Sequence, residues 1–204
     1  MKIQCELSDL GYQYGKKRIF RHLQAQFQSG KIHLITGPNG SGKSTLLRLL
    51  SSAIEPEEGS IKYSIEGREP DEELLRNEIS LVAPYQELPE EFSLGELISL
   101  QIRFLPGDSG EASYRQLAEY FGLEKAMEKP VSEYSTGMKQ KAKFVLALGM
   151  NRPVWLLDEP GSNLDVASCG LLHQLLRDNM HKRLIILASN DPAEISLGDV
   201  AVSL

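Results

Sequence analysis

Three short runs in the chain are built on closely spaced large apolar residues: residues 31–36 (Lys-Ile-His-Leu-Ile-Thr), 154–157 (Val-Trp-Leu-Leu) and 184–188 (Leu-Ile-Ile-Leu-Ala). Runs this short and this apolar predict strands covered on both faces. Residues 2–7 instead alternate apolar and polar, which predicts a strand with one buried face. Residues 24–28 predict a second strand, closed by the Ser29-Gly30 turn, and 59–65, 79–83 and 200–204 predict further ones. Helical spacing begins at 44–53 and is stopped by Glu55-Pro-Glu-Glu-Gly59. It returns at 93–105, where Ser93 and Glu96 stand at capping-box spacing. A Pro-Gly-Asp-Ser-Gly loop is expected at 106–110, followed by helices at 111–121, 136–150 and 166–179. Apolar strands alternating with helices predict an α/β fold around a parallel sheet. The expectation is one domain over 1–204. In it, 1–92 and 152–204 form the α/β core and 93–151 an inserted helical subdomain.

The composition is ordinary for a globular chain, 41% hydrophobic and 25% charged. A net charge of −6 gives no sign of a nucleic-acid footprint, and no nucleic-acid partner is expected. Lys139, Lys141 and Lys143 are the one basic cluster, read as a solvated helix face rather than a binding patch. Cys5 and Cys169 are too far apart in sequence for a disulfide framework. Both are expected to be reduced, as in the cytoplasm, with Cys5 in the core beside Ile3 and Leu7. No apolar run approaches the roughly 18 residues of a membrane span, and the first residues lack a signal-peptide stretch. The expectation is a cytoplasmic protein without direct membrane insertion. His22, His33, His173 and His181 have no partners at metal-ligand spacing and read as core or surface residues.

Chemistry enters at Gly37-Pro38-Asn39-Gly40-Ser41-Gly42-Lys43-Ser44, which fits the phosphate-binding pattern G-x-x-x-x-G-K-[ST]. It has the setting the motif needs, a buried strand before it and a helix start after it. The glycines allow backbone N–H groups to approach phosphate oxygens, and the helix N-terminus adds its free N–H groups and positive dipole end. Lys43 can neutralise the β- and γ-phosphates, and the Ser44 hydroxyl can hold Mg²⁺. Thr45 follows Ser44 in the first turn and belongs to the same nucleotide-binding set. The competing reading is a Gly-rich turn before a core helix.

Downstream, the apolar strand at 154–157 runs into Asp158 and Glu159. In phosphate-loop ATPases such a strand delivers an Asp toward Mg²⁺. Glu159 then stands where a carboxylate could accept a proton from attacking water. Alone the segment would be a strand ending in an acidic turn before Pro160; paired with the phosphate loop, the catalytic reading prevails.

Between these motifs lies Tyr134-Ser-Thr-Gly-Met-Lys-Gln-Lys141, where the chain resembles the nucleotide-binding domain of ABC transporters. Ser135 and Gly137 match the two best-defined positions of that family's Leu-Ser-Gly-Gly-Gln signature; Tyr134, Thr136 and Met138 depart from it. Gly161-Ser-Asn-Leu-Asp165 matches the family's D-loop. Tyr14 stands where the family places an aromatic that stacks on adenine, with Tyr12 as the competing choice. Gln86, in Ala83-Pro-Tyr-Gln-Glu-Leu88, is the candidate for the family's Q-loop glutamine, near Mg²⁺ and the attacking water. It could also be a polar loop residue. At the family's switch histidine this chain has Asn190, which can donate a hydrogen bond to phosphate but carries no charge. Its bland alternative is a cap of the turn before Pro192.

The resemblance covers the whole chain. It implies a RecA-like P-loop core with a small antiparallel β part, and ATP and Mg²⁺ as cofactors. It also implies hydrolysis of ATP to ADP and phosphate, and a second ATPase subunit, identical or different, because Ser135 and Gly137 would meet a nucleotide held by another chain's Lys43. A transmembrane subunit is implied as the coupled partner, placing the protein at the inner face of the membrane. The compact size is similar to that of haem-export ATPases. Two other readings stand beside this one: a soluble ABC-type ATPase in assembly, such as iron–sulfur assembly, and an ATP-switched binding module with weak turnover.

Overall fold

The computed structural model describes residues 1–104 and 110–204. Most of the loop expected at 106–110, and Leu105 of the preceding helix, lie outside the described residues. Two sheets organise the chain. The first is antiparallel, with β1 (Ile3–Tyr14) between β2 (Lys17–Gln28) and β4 (Glu58–Ile65). The second is the parallel sheet expected, with β3 (Ile32–Thr36), β5 (Ile79–Val82), β6 (Val154–Asp158), β7 (Leu184–Ala188) and β8 (Val200–Ser203) in the order β5-β6-β7-β3-β8. Every residue of β6 and β7 is buried.

Seven α-helices are described: α1 (Lys43–Leu50), α2 (Glu72–Asn77), α3 (Leu94–Phe104), α4 (Glu111–Tyr120), α5 (Thr136–Gly149), α6 (Val166–Asn179) and α7 (Pro192–Ile195). Short 3-10 turns occur at Glu124–Ala126 and Val131–Glu133. The period of two along each strand sorts the parallel sheet between two cores. Trp155, Leu157, Ile185 and Leu187 face a core with the helices of the 94–149 stretch and α6. Val154, Leu156, Leu184 and Ile186 face the opposite core, with α1 and the antiparallel sheet, Cys5, Phe27 and Tyr63 included. Parity therefore puts Asp158 on the α1 face of β6, and this register decides what its carboxylate can reach.

Several elements differ from the sequence reading. β1 and β2 are each twice or more the length expected, because both pass through bulges. Asp9 (φ 54°) and His22 (φ 51°) take left-handed conformations and pair side chain to side chain at 2.6 Å. A bulge shifts the alternation by one residue, so a period-two pattern breaks there although the strand continues. α2 and α7 are too short to show a helical period, and neither was expected. α1 starts one residue earlier than expected and stops at Leu50 rather than at residue 53. The capping box at Ser93 and Glu96 forms reciprocally, at 2.8 and 3.2 Å.

The lysine cluster corrects the sequence reading. Lys139 pairs with Glu90, and half-buried Lys143 donates to the carbonyls of Ala83 (3.4 Å) and Pro84 (3.2 Å). Burial pulls the Lys143 ammonium below its usual range. These two lysines tie α5 to the segment after β5 that carries Gln86, rather than forming a freely solvated face.

Candidate nucleotide site

The loop between β3 and α1 wraps over the carboxyl end of the parallel sheet, where open α/β sheets place their ligands. Gly42 forms the N-cap of α1 in a left-handed conformation (φ 108°), without a side-chain cap. A Cβ on Gly42 would lie 2.3 Å from Ile19 Cγ2, so only glycine fits this turn. The first N–H groups of α1 thus receive no side-chain acceptor and point out from the loop. Lys43 is 6% exposed and folds back to donate to the Gly37 carbonyl at 2.9 Å and the Pro38 carbonyl at 3.5 Å. Pro38, Asn39 and Gly40 are exposed at the rim, whereas Gly37, Ser41 and Thr45 are half-buried. The Ser41 hydroxyl is buried and makes no hydrogen bond to any described residue. A buried polar atom left this way fits an oxygen-rich ligand seated in the loop.

Asp158 is 2% exposed. Burial pushes its carboxyl up; the Ser44 hydroxyl bonded to it pulls it back, the Glu159 charge pushes it up, and Lys43 pulls it down. A buried carboxylate beside a serine hydroxyl, with an ammonium near, is a hard-oxygen donor set of the type Mg²⁺ prefers. Glu159 leaves the sheet at φ 43°, a left-handed conformation rare outside glycine. Its N–H is held by the Ala188 carbonyl at 2.8 Å. That bond fixes the backbone where the chain leaves β6.

The remaining predicted residues lie on other elements, each with its own local contacts. Gln86 is half-buried and its Oε1 accepts from the Ala83 N–H at 2.8 Å, so its amide is folded onto its own loop. Tyr14 is 45% exposed at the end of β1, edge-on to Tyr12 at 5.0 Å, and accepts from Arg48 at 3.3 Å. Asn190 donates from Nδ2 to Asn39 Oδ1 at 2.9 Å, which ties the segment after β7 to the phosphate loop. Asp165 caps α6 by accepting from Ser168 N–H at 2.7 Å, and that bond holds its carboxyl below the usual range. Ser135 is exposed and caps α5, accepting from Met138 N–H at 3.2 Å. A Cβ on Gly137 would approach the Asn163 carbonyl to 3.0 Å, so the start of α5 packs closely on the D-loop.

Three residues join this site that the sequence reading did not single out. Gln140, 3% exposed, donates to the Pro160 carbonyl at 3.0 Å. Glu194, also 3% exposed, accepts from the Gly161 N–H at 2.5 Å. Tyr85 is half exposed, and partial desolvation of its hydroxyl together with the Asp158 charge pushes it up. Glu194 stands four positions after Asn190 on a one-turn helix, a spacing without a periodic pattern to flag it. Among the described residues, no group of three His, Cys, Asp or Glu is arranged to hold a metal, and no helix is long and apolar enough to cross a membrane.

A phosphate loop on β3, an acidic pair ending β6 and a capped helix beside the D-loop define a P-loop nucleotide-binding ATPase. Residues 20–162 match the ABC transporter family model. The chain is 32% identical over 194 residues to the cytochrome c biogenesis ATP-binding export protein CcmA of Bradyrhizobium diazoefficiens, covering 92% of this chain and 94% of that one. It is 30% identical over 205 residues to the protein of the same name from Brucella abortus, covering 98% and 90%. A solved ATP-binding subunit of an ABC transporter superposes with a TM-score of 0.85 at 27% identity, covering 98% of this chain and 85% of that one. The chain belongs to the ABC transporter family, as one of its ATP-binding, ATP-hydrolysing subunits.

Proposed function

We propose that this chain is the motor subunit of an exporter, working with a second ATPase subunit, identical or different, against a separate transmembrane subunit at the inner face of the membrane. The observation that carries the reading is the meeting of Ser44, Lys43 and Asp158 at the carboxyl end of the sheet, under a helix start whose N–H groups have no side-chain cap. The export direction is supported by the names of the two CcmA relatives.

In this reading Gly37, Pro38, Asn39, Gly40, Ser41, Gly42, Lys43, Ser44 and Thr45 cradle the triphosphate, and Tyr14 stacks on the adenine. Ser44, Asp158 and Gln86 would hold Mg²⁺, which when bound neutralises charge on the β- and γ-phosphates. Gln86 must first release its bond to the Ala83 N–H, so its engagement reports nucleotide loading. Glu159 accepts the proton of the attacking water, and Asn190 turns its amide from Asn39 to the γ-phosphate. Ser135, Gly137 and Asp165 act on the partner subunit's nucleotide. Residues 93–151 act as the helical unit that brings Ser135 there, and Lys143 passes its motion to the Gln86 segment.

The test is co-purification with function. The tagged chain, expressed with the membrane proteins of its host, should bring down a multi-span protein and hydrolyse ATP faster in its presence. A chain that binds none, and turns over ATP equally with and without membranes, overturns the transporter reading.

A further inference from the structure

We infer that Glu194 is a positioning residue for the hydrolytic step, fixing the turn that aims Glu159 and shaping the D-loop from behind; this rests on the role assigned to Glu159 above. The turn from Glu159 to Gly161 is anchored at three points. Its start hangs from β7 through the Glu159 N–H to the Ala188 carbonyl, 2.8 Å. Its middle is held by Gln140 of α5, which donates to the Pro160 carbonyl at 3.0 Å. Its end is held by Glu194, whose Oε1 accepts from the Gly161 N–H at 2.5 Å. Contact is so close that a Cβ on Gly161 would lie 2.5 Å from that same oxygen.

Glu194 is an expensive choice for this task. It is 3% exposed, and burying a carboxylate costs several kcal/mol unless donors compensate. Its donors are one backbone N–H and the Ser189 hydroxyl, with no cation in a salt bridge to it among the described residues. Burial pushes its carboxyl up; Ser189 and Gly161 pull it down, and the charges of Asp191 and Glu159 push it up again. An apolar side chain would fill the space at lower cost but would leave the Gly161 N–H without its acceptor.

The geometry gives that contact a mechanical meaning. Ser189 accepts from the Asp191 N–H at 3.0 Å, and Asp191 caps α7 through the Ala193 N–H at 2.7 Å. Asn190, in the middle of this knot, reaches Asn39 of the phosphate loop at 2.9 Å. Glu194 therefore joins the segment that senses the phosphate loop to the turn that carries the base. Gln140 joins that same turn to the helix that Ser135 caps. A phosphate that draws Asn190 away from Asn39 pulls on α7, and Glu194 conveys the pull to Gly161.

Reach, rather than charge, is what this role requires. Glu194→Gln keeps the length and an acceptor oxygen for Gly161. Glu194→Asp keeps the charge but falls short by one methylene. Steady-state ATPase assays should show Glu194→Gln close to the parent. Glu194→Asp should lose roughly 10- to 100-fold in kcat, the scale of a misplacement of about 1 Å. ATP affinity, read by titration of a fluorescent analogue, should be the same in all three. Equal kcat in the three proteins overturns the inference, as does an ATP affinity that falls in step with kcat. A dimer assay separates this inference from the reading it rests on. Glu159→Gln alone should form a dimer on size exclusion with ATP and Mg²⁺, and adding Glu194→Asp should abolish it. No dimer from Glu159→Gln alone sinks the underlying reading and this inference with it; a dimer that persists in the double variant, with kcat of Glu194→Asp unchanged, sinks this inference alone.

Discussion

Two helix starts in this molecule carry residues proposed to meet nucleotide, and they are built in opposite ways. α1 begins on a left-handed glycine, Gly42, with no side-chain cap, and its first side chain, Lys43, is 6% exposed and folded across the loop. α5 begins on Ser135, which is exposed and spends its hydroxyl oxygen on the Met138 N–H. The first start leaves its N–H groups to a ligand and surrounds them with buried charge from Asp158 of a neighbouring strand. The second is internally satisfied by its own cap and presents an exposed serine. One half-site is thus assembled inside the chain, where a parallel sheet can hold charges in register. Ser135 stands at the surface instead, and in the proposed pair it would meet a nucleotide brought by a second subunit.

The largest expected effect tests the inner start. Lys43→Ala removes a buried cation whose phosphate partner then stays uncompensated, a loss of about 2–5 kcal/mol and so roughly 30- to 4000-fold in Kd. Equilibrium titration with ATP checks this, and circular dichroism should show an unchanged fold. Unaltered affinity would remove α1 from the comparison altogether.

Next comes the acidic pair. Glu159→Gln keeps the shape and the Ala188 bond of the turn but removes the base, and should cost about 10²–10⁴ in turnover with ATP affinity intact. Rapid-quench hydrolysis alongside ATP titration separates the two quantities. Normal turnover would return Glu159 to the status of an acidic turn residue.

Ser135→Ala tests the outer start. Loss of an N-cap costs about 0.5–2 kcal/mol of stability, so the melting point should fall slightly. ATP binding to the isolated chain should not change, whereas ATP-dependent dimer formation in a Glu159→Gln background should weaken. Should ATP affinity of the monomer drop instead, the two helix starts share one site within the chain and the contrast collapses.

Asn190 sits between the extremes, since it contacts the inner site through Asn39 and lacks the charge a histidine would bring. A single well-placed donor is worth up to roughly 10²–10³ in rate, and a smaller decrement is expected for Asn190→Ala here, with Asn190→His raising the rate. Equal ATPase rates in the three proteins would make Asn190 a turn cap and nothing more. The smallest effect is expected at Lys139, whose pair with Glu90 is partly exposed: Lys139→Ala should cost about 0.2–1 kcal/mol in chemical denaturation, and less at high salt.

Residues whose role depends on local sequence were legible without a fold. The phosphate loop reads directly, because its glycines, lysine and serine must follow one another between a strand and a helix. The acidic pair reads as well, since an apolar run shows where β6 ends. Strand bulges at Asp9 and His22 hid half of β1 and β2, because a phase shift erases the alternation on which the reading depends. Lys143 looked like part of a solvated stripe until the carbonyls of Ala83 and Pro84, about 60 residues away, came within reach of it.

The sequence by itself determined the residue types of the phosphate-loop pattern, the acidic pair that ends an apolar strand and the order of the motifs along the chain. Those properties follow from side-chain types at fixed spacing. Tertiary structure alone decided that Asp158 meets Ser44, that Asn190 reaches Asn39 across 151 positions, and that Glu194 and Gln140 close on the turn after Glu159. Each of those contacts joins residues on different elements. Only the register of the parallel sheet and the packing of its two faces can bring such pairs to hydrogen-bonding distance.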